Sequence, residues 1–108
     1  MSLFAVARIA GPGWAEGSGA FDQPGVNEHA AFMSHLADEG FVLYAGPLAG
    51  SETGRIRALV IIDADSAGEI RRRLADDPWT LDDHLVTTTI EPWVLFVGAE
   101  RLAGAAKP

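Results

Sequence analysis

The first ten residues alternate between two sets of side chains, as they do in a β-strand. Phe4, Val6 and Arg8 fall on one face of residues 2–10, and the other face carries Leu3, Ala5, Ala7 and Ile9. Two interpretations of Arg8 are open: it reaches a carboxylate or ligand at the strand end, or it extends its charge from a sheet edge into solvent. The sequence favours the second, because a long side chain can bury its stem and keep its charged head in water.

A helical pattern replaces this alternation between residues 26 and 39. The apolar side chains that recur there three and four positions apart are Val26, Met33 and Leu36. His29 falls on the same stripe and is therefore predicted to point inward. Asn27 is a candidate N-cap, and Gly40 sits where a left-handed residue would end the helix.

Glycines and prolines divide the rest of the chain into shorter elements. In chain order these are a strand at 41–48 stopped by Gly46-Pro47, a strand at 55–63, a helix from the capping box Ser66-Ala67-Gly68-Glu69 to about Ala75, a turn at 80–84 and a strand at 85–97. Pro92 cannot donate a ladder hydrogen bond, which predicts an edge position or a bulge in that last strand. Residues 11–25 hold five glycines and two prolines, a composition that predicts a loop of the kind that covers binding sites.

The resulting order, βαββαβ, predicts an α+β domain of ferredoxin-like architecture, with a four-stranded antiparallel sheet and two helices on one face. We expect one domain over residues 1–98 and a flexible C-terminal tail over 99–108. The opposite face of the sheet has no cover from its own chain, although Val60, Ile62, Val94 and Phe96 indicate apolar groups on both faces. A two-fold partner whose sheet packs on this one is the economical solution, so a homodimer through the open sheet face is predicted.

Charge and composition exclude several classes of function. The net charge is −7 and the eight basic residues form no extended cationic stripe, which argues against nucleic acid as a partner. No apolar run is long enough to cross a bilayer, so we expect no membrane association and a cytoplasmic protein. The chain contains no cysteine, which removes thiolate ligands and thiol nucleophiles.

The predicted topology brings the candidate functional residues to one edge of the sheet. His29 at the start of the first helix, Gly46 and Pro47 at the end of the second strand, and Asp77 and Trp79 after the second helix meet there. Histidine can accept and donate protons near neutral pH, and a carboxylate on one ring nitrogen fixes which nitrogen is free. Asp77 is suited to orient His29 in this way. Periodicity alone, however, favours a structural histidine, and Asp before Pro is a common turn former.

The same residues resemble the YCII-related family of small dimeric α+β proteins. The resemblance rests on the helix histidine His29, on Gly46-Pro47 after the next strand and on Asp77-Pro78-Trp79, and it spans roughly residues 3 to 97. It implies a dimeric α/β barrel, a catalytic pair of His29 and Asp77, and substrate-binding roles for Gly46, Pro47 and Trp79. Some members of the family are assigned to elimination of hydrogen chloride from an aromatic degradation intermediate.

The sequence is therefore compatible with two candidate functions. The first is an enzyme that uses His29 and Asp77 for proton transfer on a small organic molecule, with lyase, dehalogenating or isomerase chemistry and no cofactor. The alternative is a non-catalytic ligand-binding or accessory homodimer with the same pocket. No metal is expected, because His35 lies about 240° around the helix from His29 and the two cannot chelate one ion.

Overall fold

A computed structural model describes the backbone of residues 1–106 and the side chains of residues 1–102. Its strands are β1 (Leu3–Ala10), β2 (Val42–Pro47), β3 (Arg57–Asp63) and β4 (Leu85–Pro92). Its helices are α1 (Val26–Asp38), α2 (Ala67–Leu74), α3 (Pro78–Leu81) and α4 (Ala99–Ala106), and a short 3₁₀ turn covers Ala20–Asp22. The predicted βαββαβ order is confirmed, and α3 and α4 are added to it.

The four strands form one sheet in the order β2-β3-β1-β4, and every neighbouring pair is antiparallel. β1 is therefore a central strand, and its Val6 lies between Val60 of β3 and Ile90 of β4. β2 and β3 form the predicted hairpin. This arrangement confirms the ferredoxin-like fold.

Both long helices pack on the same face of the sheet. Leu36 of α1 and Ile70 of α2 meet Val6 of β1 and Ile62 of β3 in one buried apolar core. Removing this apolar surface from water is the main driving force that holds the helices on the sheet. None of the helices in the described part of the chain has the length and apolar character needed to cross a bilayer.

Helix α1 begins differently from the sequence prediction. Its N-cap is Gly25, which has a left-handed backbone with φ of 79° and whose carbonyl accepts a hydrogen bond from the His29 N–H at 3.0 Å. The choice of Asn27 as N-cap is therefore wrong by two residues, because glycine adopts this conformation without steric cost. Gly40, with φ of 82°, follows the helix as predicted.

Strand β4 is shorter and less regular than predicted. It ends at Pro92 on an edge of the sheet, and its register against β1 shifts between Ala7 and Arg8, so that Thr88 is passed over. The edge position that Pro92 suggested is thus confirmed, whereas the bulge lies at Thr88, four residues before Pro92. Because one extra residue reverses the alternation of side chains, Leu85 turns inward and Val86 outward.

The apolar residues that the sequence cited for both faces of the sheet do not lie on the open face. Val60 and Ile62 are buried toward the helices, and Val94 and Phe96 follow the end of β4. The open face instead presents half-exposed side chains from all four strands: Ile9, Tyr44, Leu59 and Val86. A continuous apolar surface is therefore still left on the side of the sheet opposite the helices.

The C-terminal segment contains an element that the sequence did not predict. Helix α4 occupies Ala99–Ala106, where a flexible tail was expected. Residues 107 and 108, which complete the predicted tail, lie outside the described residues.

Candidate functional site

A cavity of about 450 Å³ opens between the first half of α1, the facing ends of β2 and β3, and α3. His29, Gly46, Pro47 and Trp79 all line it, as their positions in the chain predict. Asp77 lies behind His29 and has no exposed surface. The structure therefore brings all five candidate residues together.

Small side chains make room for this cavity. Ala30 on α1 faces Ala45 on β2 and Ala58 on β3 across it, whereas larger residues fill the equivalent space farther along the sheet. Most of the remaining lining is apolar: Phe21, Val26, Met33, Ile56, Val60 and Leu85. An apolar cavity with a few polar groups at one end is the usual form of a small-molecule site.

Asp77 occupies the N-cap of α3, where one carboxylate oxygen, Oδ1, accepts a hydrogen bond from the Trp79 N–H at 3.0 Å. Pro78 follows at the first helical position, where its missing N–H costs nothing. The turn-forming role of an Asp-Pro pair is therefore real. It does not exclude a second role, because the carboxylate has further lone pairs.

His29 uses those lone pairs. Its Nδ1 lies 2.9 Å from each carboxylate oxygen of Asp77. Since an ionised carboxylate can only accept, Nδ1 carries the hydrogen, and in the neutral form of the ring Nε2 has the lone pair. The side chain of His29 is 17 % exposed and lines the cavity. The arrangement thus presents a proton acceptor to whatever occupies the cavity.

Arg8 is the main residue that the sequence interpreted wrongly. Its side chain is only 1 % exposed, and its Nη1 donates to Asp77 Oδ2 at 2.8 Å. Two hydroxyl groups accept from the rest of the guanidinium: Thr80 Oγ1 at 2.5 Å from Nη2 and Thr87 Oγ1 at 3.2 Å from Nε. The solvent-extended interpretation is wrong because β1 is central in the sheet, and the interpretation in which Arg8 reaches a carboxylate is the one observed.

The charge of Asp77 is kept in the interior by its partners. Burial raises the pKa of this carboxyl. Hydrogen bonds from His29 and Arg8, the charge of His29 and the Trp79 N–H together lower the pKa by a larger amount, so that the net pKa lies below its usual value. Asp77 is consequently ionised at neutral pH. That state is the one required for it to accept from Nδ1 of His29.

The indole ring of Trp79 packs against the imidazole ring of His29. The two rings are stacked, with centroids 4.2 Å apart and planes 9° from parallel, and Trp79 Nε1 donates to the carbonyl of Pro24 at 2.9 Å. Only 1 % of Trp79 is exposed, so its chief contact at the site is the His29 ring. A Cβ atom on Gly25 would come within 3.3 Å of this indole, which is a second reason for glycine at that position.

The loop at 11–25 closes the cavity at one side, but it is held in place by internal contacts. The buried Gln23 amide bonds the Ala15 N–H and C=O at 2.8 and 2.9 Å and the Ser18 C=O at 2.9 Å. Trp14 packs edge-on against Trp79. Phe21, at the tip, is largely exposed and borders the cavity. Phe21 is thus the loop residue that lines the cavity, and a covering role for the loop remains a prediction.

The roles of Gly46 and Pro47 are narrower than those of His29 and Asp77. Both lie on the edge strand β2 and contribute to the wall of the cavity. A Cβ atom on Gly46 would meet no heavy atom within 4 Å, so no contact within the described chain requires glycine there. Neither residue is placed to take part in proton transfer.

A second histidine, next to Trp79, escaped sequence reasoning. His84 stacks on Trp79, with centroids 5.8 Å apart, and its Nδ1 lies 2.8 Å from Asp82 Oδ1. Its Nε2 is buried without a hydrogen-bond partner among the described residues. The signal in the sequence was the spacing of His84 five residues after Trp79, which the short helix α3 converts into contact.

The histidines give no metal centre in the part of the chain that the structure describes. No group of three or more His, Cys, Asp or Glu side chains there is placed to hold an ion, and His35 is exposed and pairs with Glu39. Metal independence remains a prediction.

Neither a protein-family model nor a curated protein sequence matches the chain. Among solved structures, the fold is similar to that of 5-chloro-2-hydroxyhydroquinone dehydrochlorinase (TftG) from Burkholderia phenoliruptrix AC1100, in a complex with 2,5-dihydroxybenzoquinone. The TM-score is 0.60 at 22% sequence identity, over 85% of this chain and 93% of that chain. A similarity at this identity shows a shared fold.

Asp77→Asn should destabilise the protein by about 3 kcal/mol at neutral pH, because it leaves the buried Arg8 without a counter-charge. Since the pKa of Asp77 is lowered in the folded state, its contribution is complete above the ordinary carboxyl pKa of about 4 and is lost as the pH falls below that value. The difference between wild type and variant in urea unfolding should therefore narrow toward about pH 3. Glu39→Gln, which breaks the exposed pair with Arg73, is the control and should leave stability nearly unchanged. A difference that stays constant with pH would contradict this account.

Proposed function

We propose that this chain is a small-molecule enzyme of the YCII-related type that uses His29 and Asp77 for proton transfer. The observation that carries the proposal is the geometry of His29: Nδ1 is tied to Asp77 at 2.9 Å while the ring borders an apolar cavity. A general base needs this combination of a fixed tautomer and an accessible lone pair. Cofactor independence is part of the proposal.

The chemistry begins when Nε2 of His29 accepts a proton from a carbon or hydroxyl group of the ligand. Asp77 balances the positive charge that forms on the imidazole. In an elimination, the electron pair of the broken C–H bond forms a double bond, and a halide or another leaving group departs with the pair of its own bond. In an isomerisation, the imidazolium returns the proton to a different atom. All these steps balance without an oxidant or reductant.

The fold neighbour supports the first of these outcomes. Its name describes a dehydrochlorinase, and its crystal contains a quinone ligand. The apolar walls of the cavity suit a ring of that kind. Lyase or dehalogenating chemistry is therefore the leading form of the proposal, and isomerase chemistry shares the same base.

The alternative is a non-catalytic ligand-binding or accessory homodimer with the same pocket. It is favoured by the extent to which the site also stabilises the fold, since Asp77 caps α3 and neutralises Arg8. A metabolite library screened first by thermal shift and then for turnover separates the two functions. Binding stabilises the protein in both cases, but only an enzyme consumes its ligand. Stabilising ligands that all persist unchanged would favour the binding protein.

His29→Ala should abolish turnover of the substrate found in that screen while lowering stability by only about 1 kcal/mol, because Arg8 and the Trp79 N–H still satisfy Asp77. Combination with Asp77→Asn should be non-additive, since both substitutions disable one unit. His35→Ala, on the exposed face of the same helix, is the matched control and should keep full activity. A folded His29→Ala protein with normal turnover would contradict the catalytic assignment.

Ala45→Leu should fill the cavity and weaken ligand binding at least about tenfold, because a pocket closed by an added side chain loses apolar contacts with its ligand. Ala45 is exposed, so the larger residue should be accommodated without loss of melting temperature. Isothermal titration with the same ligand measures the effect. Ala37→Leu, at an exposed alanine of α1 outside the lining of the cavity, serves as the control. Unchanged affinity in Ala45→Leu would place the binding site elsewhere.

The proposal includes a homodimer through the open sheet face, which would complete a dimeric α/β barrel. Its support is the half-exposed apolar set on that face, including Tyr44 and Leu59. A cytoplasmic location, and the absence of nucleic-acid and membrane partners, remain predictions.

Light scattering at micromolar concentration should show two chains per particle. Leu59→Lys should give monomers, because it places a charge in the centre of the proposed interface. Leu81→Lys, which changes a more exposed leucine on α3, should leave the dimer intact. A monomeric wild type would contradict the homodimer.

A further inference from the structure

We propose, on the basis of the proposed function, that Arg8 is a positioning residue: by fixing the orientation and charge of Asp77, it selects the tautomer of His29 in which Nε2 accepts a proton. Arg8 itself need not touch the reacting atoms. The proposal gives a function to a buried charge that the proton-transfer step does not otherwise use.

Arg8 helps to fix the orientation of the Asp77 carboxylate. Each oxygen of the Asp77 carboxylate has its own anchor: the Trp79 N–H holds Oδ1 at 3.0 Å and Arg8 Nη1 holds Oδ2 at 2.8 Å. Nδ1 of His29 then sits 2.9 Å from both oxygens. Two anchors on two oxygens prevent rotation of the carboxylate about its Cβ–Cγ bond. With the Trp79 anchor alone, that rotation would be free and the position of Nδ1 would no longer be fixed.

Arg8 also affects the charge of Asp77. Burial raises the pKa of Asp77, and the hydrogen bonds from His29 and Arg8 are the largest effects that lower it again. Removal of Arg8 takes away one of these effects and therefore shifts the pKa of Asp77 upward, toward the protonated form. A protonated carboxyl group donates to Nδ1, and the hydrogen of the neutral imidazole then resides on Nε2. In that tautomer Nε2 is a donor, so His29 cannot act as a base on the ligand.

Arg8 is itself rigidly held, as a positioning residue must be. Thr80 Oγ1 and Thr87 Oγ1 accept from Nη2 and Nε at 2.5 and 3.2 Å. The bulge at Thr88 sets Thr87 directly opposite Arg8 on β4. Arg8 thereby joins β1, α3 and β4 at the point where the proton-transfer pair is assembled. Bulges next to active sites commonly re-aim side chains in this manner.

Nitrogen-15 NMR of the histidine rings tests the proposal without a substrate. At a pH where the His29 ring is neutral, the wild type should show the hydrogen on Nδ1, and Arg8→Met should move part of it to Nε2. Arg8→Lys should restore much of the wild-type signal, since the charge returns without the planar fork. Arg73→Met removes the exposed arginine–carboxylate pair with Glu39 and is the matched control, for which no change is expected.

If Arg8→Met does not fold, Thr87→Val provides the test, because it removes the acceptor of Nε and keeps the charge. A smaller shift of the hydrogen toward Nε2 is expected there. An unchanged Nδ1–H signal in the folded Arg8→Met protein, or in Thr87→Val should Arg8→Met be unfolded, would overturn the proposal.

Kinetics separate this inference from the proposed function. With a substrate from the library screen, Arg8→Met should lower kcat about 10²-fold, because orientation of the base is lost. KM should change far less, because Arg8 is only one of the residues that line the cavity. A tautomer that depends on Arg8 in a protein without any turnover would uphold the positioning role and defeat the enzymatic proposal. Wild-type turnover with an unchanged tautomer and kcat in Arg8→Met would defeat the positioning role alone.

Discussion

A buried charge pair, Arg8 with Asp77, is the constraint around which this small domain is built. Neither side chain has appreciable contact with solvent. Removing two ions from water costs several kcal/mol each, and their attraction offsets that cost only when every remaining polar atom finds a partner. The surrounding residues meet that demand: two threonine hydroxyls, a backbone N–H and the His29 ring complete the set of hydrogen bonds.

The pair also explains why folding and the candidate site are difficult to separate here. One carboxylate, Asp77, caps a helix, neutralises an arginine and orients a histidine. Trp79 is similarly shared, since it joins the apolar core of the loop and carries the His29 ring on its face. A site assembled from such residues is preorganised by the same contacts that stabilise the protein.

Much of this could be predicted from the sequence because periodicity and element order determine which chain ends share a sheet edge. Element order alone places His29, Gly46-Pro47 and Asp77-Pro78-Trp79 at the same sheet edge. Sequence reasoning failed where two levels of prediction conflicted. The ferredoxin-like order already puts the first strand inside the sheet, and an arginine on its inward face therefore needs a buried partner. The interpretation in which Arg8 extends its charge from a sheet edge into solvent is inconsistent with that requirement. The bulge at Thr88 could not be read at all, because it breaks the period of two on which strand prediction depends.

The two edge strands share a feature whose effect reaches beyond the single molecule. β2 ends in Pro47 and β4 ends in Pro92, so each free edge of the sheet lacks a backbone donor near its end. An edge of this kind is a poor template for another strand, and sheet extension from chain to chain is disfavoured on both sides. The apolar face remains available at the same time. The protein can therefore expose an apolar sheet face to a specific partner while resisting growth into cross-β aggregates. Fibrils elongate by adding strands to a sheet edge, and the prolines obstruct that direction.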